Sequence, residues 1–275
     1  MSEALAALLL GVLQGLTEFL PVSSSGHLVL LQQFVPVSGD HVAFDLALHV
    51  GTLVPVLWVF RHDLIRIVVD PVAGQGPWRE REGVRVAFWV LLASIPTAAI
   101  GLGMSPFFDS LYNAQGAEGR VRVLGTVGVA FAVTGALLWA TRRAGDGNRG
   151  LAGIGWWQAL LIGVIQGLAI TPGISRSGST IALALFLGLE RGVAARYSFL
   201  LSIPAILGGA LLELGDVDAA GLAWGPLALG MLAAGLTGYG ALRLLVRMVE
   251  AGELSRFSWY LWVLAVGTIG LAVAA

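Results

Sequence analysis

GVLQGLTEFLPVSSSGH runs from Gly11 to His27, and GVIQGLAITPGISRSGS runs from Gly163 to Ser179. Gln166 stands 152 positions after Gln14 in a chain of 275 residues, so one segment occurs twice, once in each half. Each copy opens as apolar helix, breaks at a proline (Pro21, Pro172) and continues into a run of serine and glycine. Matching interrupted segments in two halves point to an internally duplicated membrane protein with its site where the two breaks meet.

Composition supports a membrane setting. The chain is 57% hydrophobic and 12% charged, with a mean hydropathy of +0.84; soluble domains carry roughly 25% charged residues. Several apolar runs approach the roughly 20 residues that cross a bilayer as helix. The net charge of −1 gives no reason to expect a nucleic-acid partner. Cysteine is absent, which excludes disulfides, thiolate metal sites and a cysteine nucleophile. No basic stretch precedes the first apolar run, which argues against a cleaved signal peptide.

Six segments are predicted to cross: 43–60, 86–104, 121–141, 193–212, 224–247 and 258–275. The two motif regions differ. Ala4 to Leu20 and Trp156 to Thr171 are helical arms that stop at the breaks, and the apolar runs beyond them, Leu28–Phe34 and Thr180–Leu189, are too short to cross. A segment that enters, breaks and returns is a re-entrant hairpin, tolerated at depth only inside protein or beside water.

The arginines agree with this layout. With six spans and two hairpins, the arginines of 61–85 and 142–149 share one side with Arg191, Arg196, Arg243, Arg247 and Arg256. The opposite loops carry only Arg120 and Arg122 among several carboxylates. Arginine excess marks the cytoplasmic side. The halves then have opposite orientation: the first hairpin enters from outside and the second from the cytoplasm. The expected fold is all-α and polytopic, an inverted-topology repeat in a single membrane domain. Each half is one re-entrant helical hairpin plus three transmembrane helices, with repeat one at 1–141, a linker at 142–153 and repeat two at 154–275. The linker and the stretch Asp70–Gly83 read as glycine-rich turns or flexible loops.

Two charges lie where lipid would be. Glu18 shares a helix face with Gln14, four residues earlier. A carboxylate at mid-membrane costs about 2.5–3.5 kcal/mol, and Arg176 at the second break costs as much. An ion pair between them, a metal ion or a water-filled cavity would compensate. Ser23, Ser24, Ser25 and His27 surround the first break; Ser175, Ser177, Ser179 and Thr180 surround Arg176. A half-helix beginning at Gly178 would aim N–H groups at the second tip. With a guanidinium and hydroxyls added, that tip is an oxyanion cradle. Facing it are a carboxylate, an imidazole and hydroxyls, the layout for phosphoryl transfer. His27 would be nucleophile, general acid, or base for Ser24 or water. Asp45 and His49, four apart on the first span, read first as a mutually satisfied pair and second as support for the site. Tyr197 and Ser198 read as packing, and the tryptophans as interfacial belts.

At these residues the chain resembles the undecaprenyl-diphosphate phosphatase family of bacterial membranes, the bacitracin-resistance type. The resemblance rests on QGLTEFLPVSSSGHL (Gln14–Leu28), FDLALHVGTL (Phe44–Leu53), PGISRSGSTI (Pro172–Ile181) and YSFLLSIPA (Tyr197–Ala205), four motifs in order. It implies hydrolysis of undecaprenyl diphosphate to undecaprenyl phosphate and inorganic phosphate, which recycles the lipid carrier of peptidoglycan synthesis and confers bacitracin resistance. Glu18 matches an essential glutamate with a metal-binding or base role. Ser24 and His27 match residues proposed as nucleophile or acid/base. Ser175, Arg176 and Ser177 match the diphosphate-binding loop, with Ser25 facing it. Gln14 is a supporting residue where many members carry a second glutamate, which leaves one carboxylate fewer for metal. The resemblance also implies a divalent cation, Mg²⁺ or Ca²⁺, at Glu18. It places the protein in the bacterial plasma membrane with the site open to the exterior, among lipids, with a second copy of the chain as one further candidate partner. The rival reading is a transporter or flippase of lipid phosphate or another anion, an architecture that also uses inverted repeats with broken helices.

Overall fold

The computed structural model describes residues 2–32, 41–73, 76–112, 116–216 and 223–274. Helix α1 (Glu3–Phe19) starts where Ser2 accepts a hydrogen bond from the Leu5 N–H at 3.3 Å. It ends because Pro21 forces the preceding Leu20 into an extended conformation, φ −58° and ψ 145°. After the break comes α2 (Ser24–Gln32). The second copy repeats the pattern. Gln158 caps the start of α7 (Trp156–Leu168) by accepting from the Gly155 N–H at 2.6 Å, and α8 (Arg176–Phe186) follows a turn through Pro172 and Gly173. Gly173 sits at φ +93°, open to glycine at little cost. The half-helix begins at Arg176 and not at Gly178, because Ser175 supplies the N-cap two residues earlier than expected: its Oγ accepts from the Gly178 N–H at 3.1 Å.

The remaining long helices are α3 (His41–Val59), α5 (Glu82–Tyr112), α6 (Gly116–Ala140), α9 (Arg191–Glu213), α10 (Trp224–Glu250) and α11 (Phe257–Ala274). Five of these are long and apolar enough to cross a membrane by themselves. The sixth candidate is α3 joined to α4 (Arg61–Ala73) across a 72° bend. The expected spans thus coincide with helices. The region after the first span differs from the sequence expectation: 61–73 is a helix lying across the end of the bundle, and a short turn at Trp78–Glu80 precedes α5.

Glycine contacts set the depth of each arm. Gly11 lies against Gly230 and Ala233 of α10, Gly15 against Ala234 and Gly238, and Phe19 against Gly238. Helix α1 therefore runs parallel to α10 and stops beside the middle of that helix. In the other half Gly163 lies against Ala93 and Pro96 of α5, and Gly167 against Ile100, so α7 runs parallel to α5 and also stops near its middle. Both short helices return. Leu28 of α2 packs in one cluster with Ala6, Ala7 and Leu10 at the start of α1. The end of α8 meets the residues before α7 through a bridge between Arg149 and Leu189. Each arm thus packs on the long helix of the opposite half, an exchange consistent with an inverted repeat.

The arginine-bearing segments gather at one end of the bundle. Arg196 on α9 pairs with Asp63 on α4 and lies 3.6 Å from Glu82 on α5. Arg191 pairs with Asp146 of the linker at 2.9 Å, and Gly252 lies against the Arg191 guanidinium. Arg142 stacks over Trp139 at 4.1 Å, beside Trp259 and Trp262. That ring cluster at a helix end is the belt expected of interfacial tryptophan. The linker is pinned rather than loose: Arg149 N–H donates to the Gly188 carbonyl at 3.2 Å and Leu151 is buried.

Candidate active site

The two breaks meet. Gly173 N–H of the second tip donates to Ser23 Oγ of the first at 3.1 Å. Ser177 Oγ of the second donates to the Phe19 carbonyl of the first at 3.0 Å. Ser23 is the only non-glycine residue at positive φ (+67°) among the described residues, a left-handed conformation that costs about 1–2 kcal/mol. The surroundings hold it there: its hydroxyl accepts from Gly173 and, at 3.4 Å, from the Gly26 N–H, and lies 3.3 Å from Ser25 Oγ.

Glu18 sits at the centre, buried, at the end of α1. Oε1 accepts from Arg176 Nη2 at 2.5 Å. Oε2 accepts from Ser24 Oγ at 2.6 Å and from Gln14 Nε2 at 3.1 Å. Three donors fill three of the roughly four lone-pair sites of a carboxylate. The pair joins two elements 158 positions apart and compensates the buried carboxylate and the partly buried guanidinium. One atom of each flanking residue stays unsatisfied: Arg176 Nη1 and Gln14 Oε1 are buried without a hydrogen-bond partner among the described residues. Ser24, half-buried, is the first residue of α2 and Arg176 the first of α8. Two half-helix N-termini therefore converge, with their positive ends at the tips.

The predicted residues divide into those around Glu18 and those that build the frame. Glu18, Gln14, Ser24 and Arg176 form one hydrogen-bonded group. Ser175 and Ser177, expected as phosphate ligands, have their hydroxyls in the frame. Ser177 donates to Phe19, and Ser175 caps α8 and lies 3.3 Å from Ser177 Oγ. Ser25 is half-buried, with its hydroxyl 3.3 Å from Ser23 Oγ. His27 is turned away from the carboxylate: its Nδ1 is 2.8 Å from the Ser23 carbonyl and its Nε2 is 2.7 Å from the Tyr260 hydroxyl on α11.

The sequence signals one of the two further partners only as a second reading, and the other not at all. His49 reads first as a partner of Asp45 and second as support for the site. In the structure its Nδ1 lies 2.8 Å from the Asp45 backbone carbonyl, and its Nε2 lies 3.9 Å from Glu18 Oε2. Its place within FDLALHVGTL was the available signal. Tyr260 had none, being 233 positions from His27. Ser198, read as packing, also bonds Thr180 Oγ1 at 2.5 Å and ties α9 to α8. Tyr197 is packing, its hydroxyl donating to the Trp89 carbonyl at 2.9 Å.

No group of three acidic or histidine side chains suited to a metal gathers among the described residues. The unpartnered Gln14 Oε1 beside Glu18 does offer oxygens to a hard cation. That donor set fits an ion taking its remaining ligands from phosphate and water, as Mg²⁺ commonly does.

Fold and site together define an all-helical, multi-pass membrane protein with an ionic, hydroxyl-bearing site between two broken-helix tips. The chain belongs to the bacitracin resistance protein BacA family, whose model matches residues 7–267. It is similar to proteins named undecaprenyl-diphosphatase from several organisms. That of Carboxydothermus hydrogenoformans is 42% identical over 273 residues, 98% of this chain and 97% of that protein. That of Desulfosudis oleivorans is 44% identical over 282 residues, 98% of this chain and 99% of that protein. That of Methanosphaera stadtmanae is 37% identical over 286 residues, 99% of each chain.

Proposed function

We propose that this protein is an undecaprenyl-diphosphatase that removes the terminal phosphate of undecaprenyl diphosphate and so regenerates the monophosphate carrier for cell-wall synthesis. The observation that carries this reading is the unpartnered Arg176 Nη1 beside a Ser24–Glu18 hydrogen bond of 2.6 Å. A guanidinium with a spare donor is an anion site. A hydroxyl bonded to a carboxylate is a nucleophile with its base. The diphosphate lies between the tips, held by Arg176, the Ser25 hydroxyl and the N-terminal turns of α2 and α8. Ser175 and Ser177 shape the loop that presents Arg176.

Glu18 takes the Ser24 proton as Oγ attacks the terminal phosphorus. The bond to the bridging oxygen breaks and undecaprenyl phosphate leaves. Water then attacks the phosphoserine, Glu18 returns the proton to Oγ as the Oγ–P bond breaks, and inorganic phosphate leaves with both protons of the water. The Ser24–Glu18 bond favours serine over water as first nucleophile. A divalent cation held by Glu18 and Gln14 would act as a Lewis acid, neutralising the phosphate oxygens. The asymmetry between the tips, nucleophile and base on one and cation on the other, favours hydrolysis over anion carriage.

The protein resides in the bacterial plasma membrane with its arginine-rich end in the cytoplasm. His49 lies 3.9 Å from Glu18 Oε2 with its side chain partly exposed, which supports a site that opens to the exterior, with the lipid tail entering sideways between helices.

Phosphate release from undecaprenyl diphosphate by the purified protein in detergent tests the reading. Wild type turns over. Ser24→Ala loses at least about 1,000-fold, in line with removal of a nucleophile–base unit. Full turnover by Ser24→Ala would exclude the serine route, and an inactive wild type would exclude the function. EDTA should abolish turnover, and added Mg²⁺ should restore it.

A further inference from the structure

The hydrolysis step needs a second proton acceptor. Once Ser24 carries the phosphoryl group, Glu18 holds the serine proton and must give it back to Oγ. It cannot at the same time take a proton from the attacking water. Gln14 and Arg176, which also bond Glu18, are not bases. His27 is engaged elsewhere, with Nδ1 at the Ser23 carbonyl and Nε2 at the Tyr260 hydroxyl. His49 Nε2 lies 3.9 Å from Glu18 Oε2, the oxygen that accepts from Ser24. The His49 side chain is 35% exposed, which leaves room for water beside it.

Helix α3 fixes this placement. Phe44 and Leu48 are buried in one cluster with Ala6, Ala7 and Leu10 of α1, and Gly51 lies against Met231 of α10. His49 Nδ1 lies 2.8 Å from the Asp45 carbonyl, one turn back on the same helix. A carbonyl oxygen only accepts hydrogen bonds, so Nδ1 carries the hydrogen and the neutral ring has its lone pair at Nε2. That lone pair and the Glu18 carboxylate are both acceptors, and water is the donor that can serve them. We propose, resting on the serine route above, that His49 is a catalytic residue, the general base for the water that hydrolyses the phosphoserine. The water oxygen bonds to phosphorus as Nε2 takes one of its protons. The Oγ–P bond breaks with its electron pair going to Oγ, and Glu18 protonates Oγ. The imidazolium then gives its proton to a phosphate oxygen, and phosphate leaves with both protons of the water. Glu18 thus serves the serine and His49 serves the water.

Rapid acid quench of the full-length protein in detergent decides this, with undecaprenyl diphosphate carrying radioactive phosphorus in its terminal phosphate. His49→Gln and His49→Asn keep a polar side chain and remove the basic nitrogen, and two shapes guard against a folding failure in one of them. In these variants Ser24 should still be phosphorylated, and its hydrolysis should stall. Their kcat should fall about 100-fold or more, the scale of a general base. Label should build up on Ser24 well beyond its level in wild type, after a burst of about one undecaprenyl phosphate per protein molecule. Trapped label itself shows that the variant is folded and competent in the first step. An unchanged kcat in both variants overturns the proposal. So does lost turnover without trapped label in both, the result expected if a cationic His49 serves only as an ion-pair partner of Glu18. An inactive wild type removes the phosphatase reading and this proposal together. An active wild type with either of the two variant results above removes this proposal alone.

Discussion

At the residue scale, two buried charges are acceptable because each is the other's partner. Removing one member leaves an uncompensated charge, at a cost of about 3–5 kcal/mol. Arg176→Ala therefore conflates stability with chemistry, and Arg176→Lys is the sharper variant. The ammonium preserves the charge opposite Glu18 but cannot pair with the carboxylate and bind phosphate with a second planar nitrogen. Turnover should fall about 100-fold or more, while the melting temperature moves by less than it does for Arg176→Ala. Ser23 makes a contrasting case. Ser23→Ala keeps the backbone strain and leaves the buried Gly173 N–H without its acceptor, which should lower stability by about 1–3 kcal/mol. Thermal unfolding in detergent measures it. The residues in the Glu18 group were legible because a glutamate, an arginine and clustered serines are conspicuous in apolar sequence. The hydroxyl duties of Ser175 and Ser177 were not, since a capping serine and a ligand serine look the same in one dimension.

At the element scale, the duplication explains how the two tips came to differ. Ser24 and Arg176 are 152 positions apart, the same offset as Gln14 and Gln166. Each opens its half-helix, and each is preceded by a serine whose hydroxyl meets an N–H three residues on: Ser23 with Gly26, Ser175 with Gly178. One frame thus presents a nucleophile at one tip and a cation at the other. The frame depends on close approach of arm and span. A Cβ on Gly15 would lie 2.8 Å from the Gly238 nitrogen, and one on Gly163 would lie 2.8 Å from Pro96 Cγ. Gly15→Leu and Gly163→Leu should each destabilise by at least about 1–3 kcal/mol through overpacking, with loss of turnover because both arms carry a tip. Asp63→Asn acts elsewhere. It weakens the tie of α4 to Arg196 and should lower the melting temperature with kcat unchanged.

For the whole molecule, opposite orientation of the halves has a direct consequence. The chain has no cysteine, so introduced ones report alone. In intact cells, a membrane-impermeant thiol reagent should label Glu3→Cys at the start of α1 and spare Asp146→Cys in the linker, with the reverse in inverted vesicles. Labelling of both positions from one side would refute the inverted arrangement.

The sequence alone determined that this is a helical membrane protein with two interrupted segments, where they break, and which face carries the arginines. Those properties are written locally, in proline, in apolar run length and in the distribution of charge along the chain. Six spans, two half-helices and the Glu18–Arg176 encounter follow from them. Only the tertiary structure decided which oxygen of Glu18 meets which donor, that His49 turns toward it, that His27 is held between Ser23 and Tyr260, and that residues 61–73 fold as a helix across the bundle end. Such contacts depend on the crossing and rotation of helices far apart in sequence. A shift of one residue in register turns a side chain about 100° around its helix, and nothing in the local sequence sets that rotation.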